Sequence, residues 1–199
     1  GELKKPGLEM ISVGSAMAHK VNEILIGIVF GDKVGDMVKQ AGEYGCDRVI
    51  GYESPDLKDF RTIPYATLLS DLIGELKPNI LLIPATRNGS TLAEILCRRH
   101  RPQMAKGRPG IFAVPERNPN AKYESEIRKA KIKKEYLRKE IVDFKPKTTV
   151  DLTSARYIVS GGLGLGKASG FKLIQELADE IGAYVGASRP TVDLGWIGR

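Results

Sequence analysis

Four glycines fall within six residues, Gly161, Gly162, Gly164 and Gly166, between an apolar run and a helical pattern. Glycine lets backbone amides approach a ligand that a Cβ would hold away. The run before them, Tyr157-Ile158-Val159, is too short and too β-branched for a helix and reads as a buried strand. After them, Phe171, Ile174, Leu177, Ala178 and Ile181 recur on one face of a helix. A second short strand, Ala183 to Val185, leads into Ser188-Arg189-Pro190. Strand, glycine loop, helix, strand is a βαβ unit, and its loop amides and positive helix end suit an anion. In outline this is a nucleotide-phosphate site.

Three chemistries compete for that outline. Gly161-x-x-x-x-Gly166-Lys167 nearly completes a P-loop, but Ala168 stands where a Ser or Thr hydroxyl would hold magnesium, and Ser169 is one place late. The dinucleotide fingerprint G-x-G-x-x-G is also broken, since Gly162-x-Gly164 is followed by Lys167. The third reading is a tight turn with close helix–strand packing and no ligand.

The elements that must carry such a site alternate along the chain. Residues 7–21 form an amphipathic helix through Leu8, Ile11, Met17 and Val21, weakened by Gly14. Ile24 to Phe30 is an apolar strand suited to the inside of a parallel sheet. Gly31-Asp32 caps a helix over 34–44 that ends at Gly45, and Arg48 to Tyr52 is the next strand. Pro64 begins a helix with Tyr65, Leu68, Leu69, Leu72 and Leu76 on its apolar face, and Lys77-Pro78 stops it. Asn79 to Ile83 is another buried strand, with Asn88, Gly89 and Ser90 opening the helix beyond it. Alternation of this kind indicates a parallel α/β domain. Arg101-Pro102 and Arg108-Pro109-Gly110 hold the backbone extended. Ile127, Ala130 and Ile132, then Ile141 and Phe144, suit an edge strand or a passage into a second domain, and Lys145-Pro-Lys-Thr-Thr149 is the boundary signal. The domains are therefore expected at 1–147 and 148–199.

Composition narrows the function classes. Hydrophobic residues at 42% and charged ones at 28% are those of a globular protein, and no apolar run is long enough to span a membrane. The net charge is +7, but residues 122–147 alone carry ten basic and five acidic side chains. Interleaved charges with few aromatics describe a solvated surface, so no nucleic-acid partner is expected. Cys46 and Cys97 are widely spaced and fit reduced thiols in a cytoplasmic compartment. Neither His19 nor His100 has neighbours at metal-ligand spacing, so no metal is expected.

Three separated stretches carry a resemblance. Val159-Ser-Gly-Gly, Gly170-Phe-Lys-Leu and Val185-Gly-Ala-Ser-Arg-Pro-Thr-Val-Asp-Leu-Gly-Trp196 together resemble the opening of the FAD-binding domain of the electron transfer flavoprotein alpha subunit. Arg101-Pro-Gln-Met-Ala105 with Arg108-Pro109-Gly110 is similar to a second region of that family. Lys58-Asp-Phe-Arg-Thr62, Pro64-Tyr65, Lys77-Pro78 and Pro84-Ala-Thr86 are similar to a third. The order is the family's, and the matches span nearly the whole chain. The resemblance implies a Rossmann-like N-terminal domain, a scaffold that binds no cofactor itself, followed by the start of a Rossmann-like FAD-binding domain.

The resemblance also implies what the site does. FAD would perform the redox chemistry, with the protein as a carrier rather than a stand-alone enzyme. Arg189 would lie over the isoalloxazine edge and favour the anionic reduced ring; its competing role is an ion pair with Asp193. Ser188 would hydrogen-bond the cofactor, and Gly161, Gly162, Leu163 and Gly164 would bring their amides to it. Implied partners are a beta subunit, an acyl-CoA dehydrogenase-like donor and a quinone oxidoreductase with a ferredoxin-like protein; some family members also bifurcate electrons using NADH and a second FAD. Two departures stand out. Leu163 replaces an arginine that the family usually has in the glycine loop. Chain is also expected to be missing near residues 96–97, before Gly1 and after Arg199, because family segments there have no counterpart. The alternatives are a P-loop-type nucleotide-binding protein and a scaffold whose FAD domain has degenerated.

Overall fold

A computed structural model describes residues 1–137 and 155–198. The boundary expected at Lys145–Thr149, and the apolar positions Ile141 and Phe144, lie outside the described residues. The chain divides into two compact units, Gly1–Glu140 and Ile141–Arg199.

In the first unit, α1 (Lys5–Val21) precedes β1 (Ile26–Gly31), α2 (Gly35–Glu43), β2 (Arg48–Glu53), α3 (Thr62–Leu76), β3 (Ile80–Pro84), α4 (Arg87–Arg99), β4 (Gln103–Gly107) and β5 (Glu124–Lys129). Every pairing is parallel: β1 with β2, β2 with β5, and β3 with β4. Helices between parallel strands are the crossovers such a sheet requires. The expected edge strand through Ile127 is β5, at the end of the order β1-β2-β5. Between the two Arg-Pro corners the chain forms a five-residue strand, β4, where the sequence indicates only extended backbone.

The core explains the remaining differences. The buried residues of α1 are Glu9, Met10, Gly14 and Ala18, whereas Met17 is 36% and Val21 63% exposed. Gly14 is a close-approach point, because a Cβ there would stand 2.6 Å from a Leu25 methyl. Helix α2 is not capped by Gly31-Asp32. The amide of Val34, just before it, donates to Glu53 Oε2 at 3.2 Å, so a carboxylate from the end of β2 holds the helix start. Helix α3 buries Leu68, Leu69, Leu72 and Ile73. Leu69 and Ile73 form a cluster with Ile83, Ala93 and Leu96, and Ile28 and Phe30 of β1 pack against it. Lys77, at φ 47, ends α3 in the left-handed region before Pro78. Helix α4 runs unbroken through Leu96 and Cys97, with Leu96 fully buried.

The second unit contains β6 (Ile158–Gly161), α5 (Phe171–Ile181), β7 (Tyr184–Ala187) and the short α6 (Arg189–Asp193). The strands are less buried than their apolar sequences suggest: Ile158 is 43% and Tyr184 48% exposed. Strand residues alternate between faces. Gly161 points to Phe171 of α5, while Ile158 and Ser160 lie with Gly186 on the other face. Among the described residues, one face of this strand pair is covered by α5. Leu177 and Ile181, expected on the apolar face of α5, are 50% and 52% exposed; Phe171 and Ala178 carry its buried contact.

Candidate functional site

Strands β6 and β7 run parallel with Ser160 opposite Gly186 and Gly161 opposite Ala187. Both strands therefore leave the sheet at one carboxyl edge, where open α/β sheets bind ligands. The glycine loop follows β6 there, and the Ser188-Arg189 corner follows β7. The two are joined by the Ser188 amide, which donates to the Gly161 carbonyl at 3.0 Å. Residues 27 positions apart in sequence thus meet at one edge.

The loop is built to leave donors open. Leu163–Leu165 make one tight helical turn that ends at Gly166, with φ 73. Within it the Leu165 amide donates to the Gly162 carbonyl at 3.1 Å and the Gly166 amide to the Leu163 carbonyl at 2.9 Å. The amides of Gly162, Leu163 and Gly164 donate to no described backbone carbonyl. Nothing lies within 4 Å of the place a Cβ would take at Gly164, and at Gly162 the nearest atom is Ser188 Oγ at 3.6 Å. Gly161 differs: a Cβ there would stand 2.7 Å from both Leu165 and Phe171, so its missing side chain seats the loop and α5 on the strand. Leu163 is 52% exposed.

The corner after β7 is held from both sides. The Ser188 carbonyl accepts from Thr191 Oγ1 at 2.7 Å, from the Thr191 amide at 3.1 Å and from the Val192 amide at 3.4 Å. The Ser188 hydroxyl caps no amide of α6. The Arg189 side chain is 87% exposed, with Nε 3.4 Å from Asp193 Oδ2. This is the ion pair left open by the sequence. An exposed pair of this kind contributes only about 0–1 kcal/mol, so it leaves the guanidinium available to a stronger anionic partner. Thr191 is fully buried, and sequence reasoning passed over it. The available signal was a hydroxyl residue three places after a serine at a helix start, with a proline between.

The P-loop reading fails on geometry as well as on Ala168. A P-loop passes directly from its lysine into the helix. Here Lys167 is extended, residues 168–170 make a separate turn, and α5 begins only at Phe171. Open amides, two of them on glycines, with an uncommitted hydroxyl and an exposed guanidinium fit a dinucleotide carrying phosphates and a polar ring edge. In the first unit, Asn88-Gly89-Ser90 offers less. The Thr86 hydroxyl accepts from the Gly89 amide at 3.1 Å, and the Ser90 amide donates to the Thr86 carbonyl at 2.8 Å, so that helix start is satisfied from within.

Comparison with known proteins gives two family matches. Residues 1–99 match the electron transfer flavoprotein domain, and residues 151–199 match the electron transfer flavoprotein FAD-binding domain. The chain is 31% identical to Protein FixB of Clostridium saccharobutylicum, covering 99% of this chain and 71% of the relative. It is 29% identical to the electron transfer flavoprotein subunit alpha of Clostridium acetobutylicum, covering 100% and 72%. It is 26% identical to the lactate dehydrogenase (NAD(+),ferredoxin) subunit LctC of Acetobacterium woodii, covering 98% and 56%. The FixB match runs over 240 positions against 199 residues here, so the relative carries residues with no counterpart in this chain.

Proposed function

The chain belongs to the electron transfer flavoprotein alpha-subunit family, whose cofactor is FAD, and from that premise we propose that Gly162, Leu163, Gly164, Ser188 and Arg189 hold FAD at the carboxyl edge of β6 and β7. The observation that carries this is the bond between the Ser188 amide and the Gly161 carbonyl, which sets the open glycine loop beside the serine–arginine corner. When bound, FAD supplies the electron-accepting and electron-donating chemistry. The protein's part is placement and electrostatics. The loop amides would hold phosphate oxygens, and Gly161 keeps the loop seated by admitting Phe171. Ser188 Oγ orients a polar edge. Arg189 would supply a cation that stays protonated, which would favour negative charge on the bound flavin. Leu163 puts an apolar side chain at the loop surface, so less of the charge balance comes from the loop and more from Arg189.

The proposal extends to the assembly. The subunit works with a beta subunit, takes electrons from an acyl-CoA dehydrogenase-like donor and delivers them to a quinone oxidoreductase. Support for a multi-subunit assembly comes from relatives named as subunits; the donor and acceptor are those the family resemblance implies. A bifurcating assembly is the second reading, favoured by likeness to LctC, whose name specifies NAD(+) and ferredoxin. A cytoplasmic setting is supported by the free Cys46 and Cys97, and no helix among the described residues is long and apolar enough to cross a membrane. The FAD-binding domain is taken to start at residue 148, near the division at 140–141 between the compact units.

Reconstitution tests the reading. The full chain, purified with a beta subunit and supplied with FAD, is expected to retain visible flavin absorption after gel filtration. A colourless protein would support the degenerate-scaffold alternative and overturn the proposal.

A further inference from the structure

We infer that Thr191 is a positioning residue for the cofactor corner and acts through Ser188; the inference rests on the FAD reading above. A buried hydroxyl is costly unless it is bonded. Thr191 is fully buried, and its Oγ1 makes a 2.7 Å bond to the Ser188 carbonyl. A serine at the start of a helix ordinarily turns its hydroxyl inward to accept the second or third amide of that helix. The second residue of α6 is Pro190, which has no amide hydrogen, so the Thr191 amide is the natural target. That amide donates instead to the Ser188 carbonyl, at 3.1 Å, beside the Thr191 hydroxyl. The Ser188 hydroxyl is thereby left out of the cap. It lies 3.6 Å from the Cβ position of Gly162, on the side of the open loop. Thr191 fixes the carbonyl end of Ser188 so that the hydroxyl end stays turned toward the ligand and does not fold back onto the helix.

The test uses the full chain with its beta subunit and reads FAD affinity by flavin fluorescence quenching. Thr191→Val keeps the shape and removes only the hydroxyl, leaving two amides on the carbonyl. Thr191→Ala serves if the valine variant does not fold. FAD should bind about fivefold more weakly to either variant, the effect of one hydrogen bond. Thr191→Ser should bind within about twofold of wild type, since it keeps the donor. In a Ser188→Ala background, Thr191→Val should cause no further loss. A packing defect would weaken binding equally in both backgrounds, and that result would overturn the inference. Unchanged affinity in Thr191→Val would overturn it too, while leaving the FAD reading intact. A wild-type chain that takes up no FAD would overturn the FAD reading and this inference with it.

Discussion

Arg189 is held by one weak exposed contact and has the charge to act on a redox ring. At this scale the decisive quantity is the difference in its interaction with the two oxidation states. An arginine that favours the anionic reduced ring raises the midpoint potential. Arg189→Ala is therefore expected to lower the flavin potential by roughly 30 mV, which corresponds to a tenfold change in relative affinity for the two states of a two-electron couple. Spectroelectrochemical titration of the reconstituted protein measures it, and an unchanged potential would remove Arg189 from the role. Burial sets the behaviour of another residue. The Cys46 thiol is pushed up to about 12, mainly by burial and further by the nearby Asp47 carboxylate, so it stays protonated and inert near neutral pH.

Elements are joined by charge on the outer face of the first unit. Arg128 of β5 donates to both oxygens of Glu75 on α3, at 2.7 and 2.8 Å, and to Glu126 at 2.8 Å. Arg48 of β2 reaches the same Glu126 oxygen at 2.9 Å. The hydrogen bonds from Arg128 hold both carboxyls below the usual range. A carboxyl with a lowered folded pKa stabilises the fold above its unfolded pKa, and that contribution is lost as pH falls through the folded value. Arg128→Met should thus cause a small drop in Tm at pH 7, and the gap to wild type should close on acidification below the ordinary glutamate range. High salt should shrink it as well, because the carboxylates lie at the surface. Thermal melts across pH and salt check this.

The elements also show what could be read from the residues. The βαβ order of the second unit and the ending of α3 at Lys77-Pro78 were legible because glycine, proline and apolar spacing act locally. β4 was not: Gln103, Ala105 and Lys106 are exposed, and the strand forms because β3 offers an edge, which is a property of the fold. The face of α1 was misread because Gly14 and Ala18 are buried for being small, so hydrophobicity pointed to Met17 and Val21 instead. At the site, the glycines and Ser188-Arg189 announced themselves, but their junction through the Gly161 carbonyl depends on strand register.

At the scale of the whole molecule, the site residues fall in one unit and the larger cores in the other. Gly162→Val should consequently abolish FAD retention while the first unit keeps its fold. Stoichiometric flavin in that variant would mean that the loop does not approach the cofactor; a matching far-UV circular dichroism spectrum would show the rest intact. The positive balance of the chain does not by itself mark a binding face, since most of it comes from residues 122–147, where basic and acidic side chains are interleaved. With its amide and its carbonyl both bonded, Ser188 gives up its backbone conformational entropy during folding and not upon capture. Differences among corner variants should therefore lie in residence time, with the association rate nearly constant.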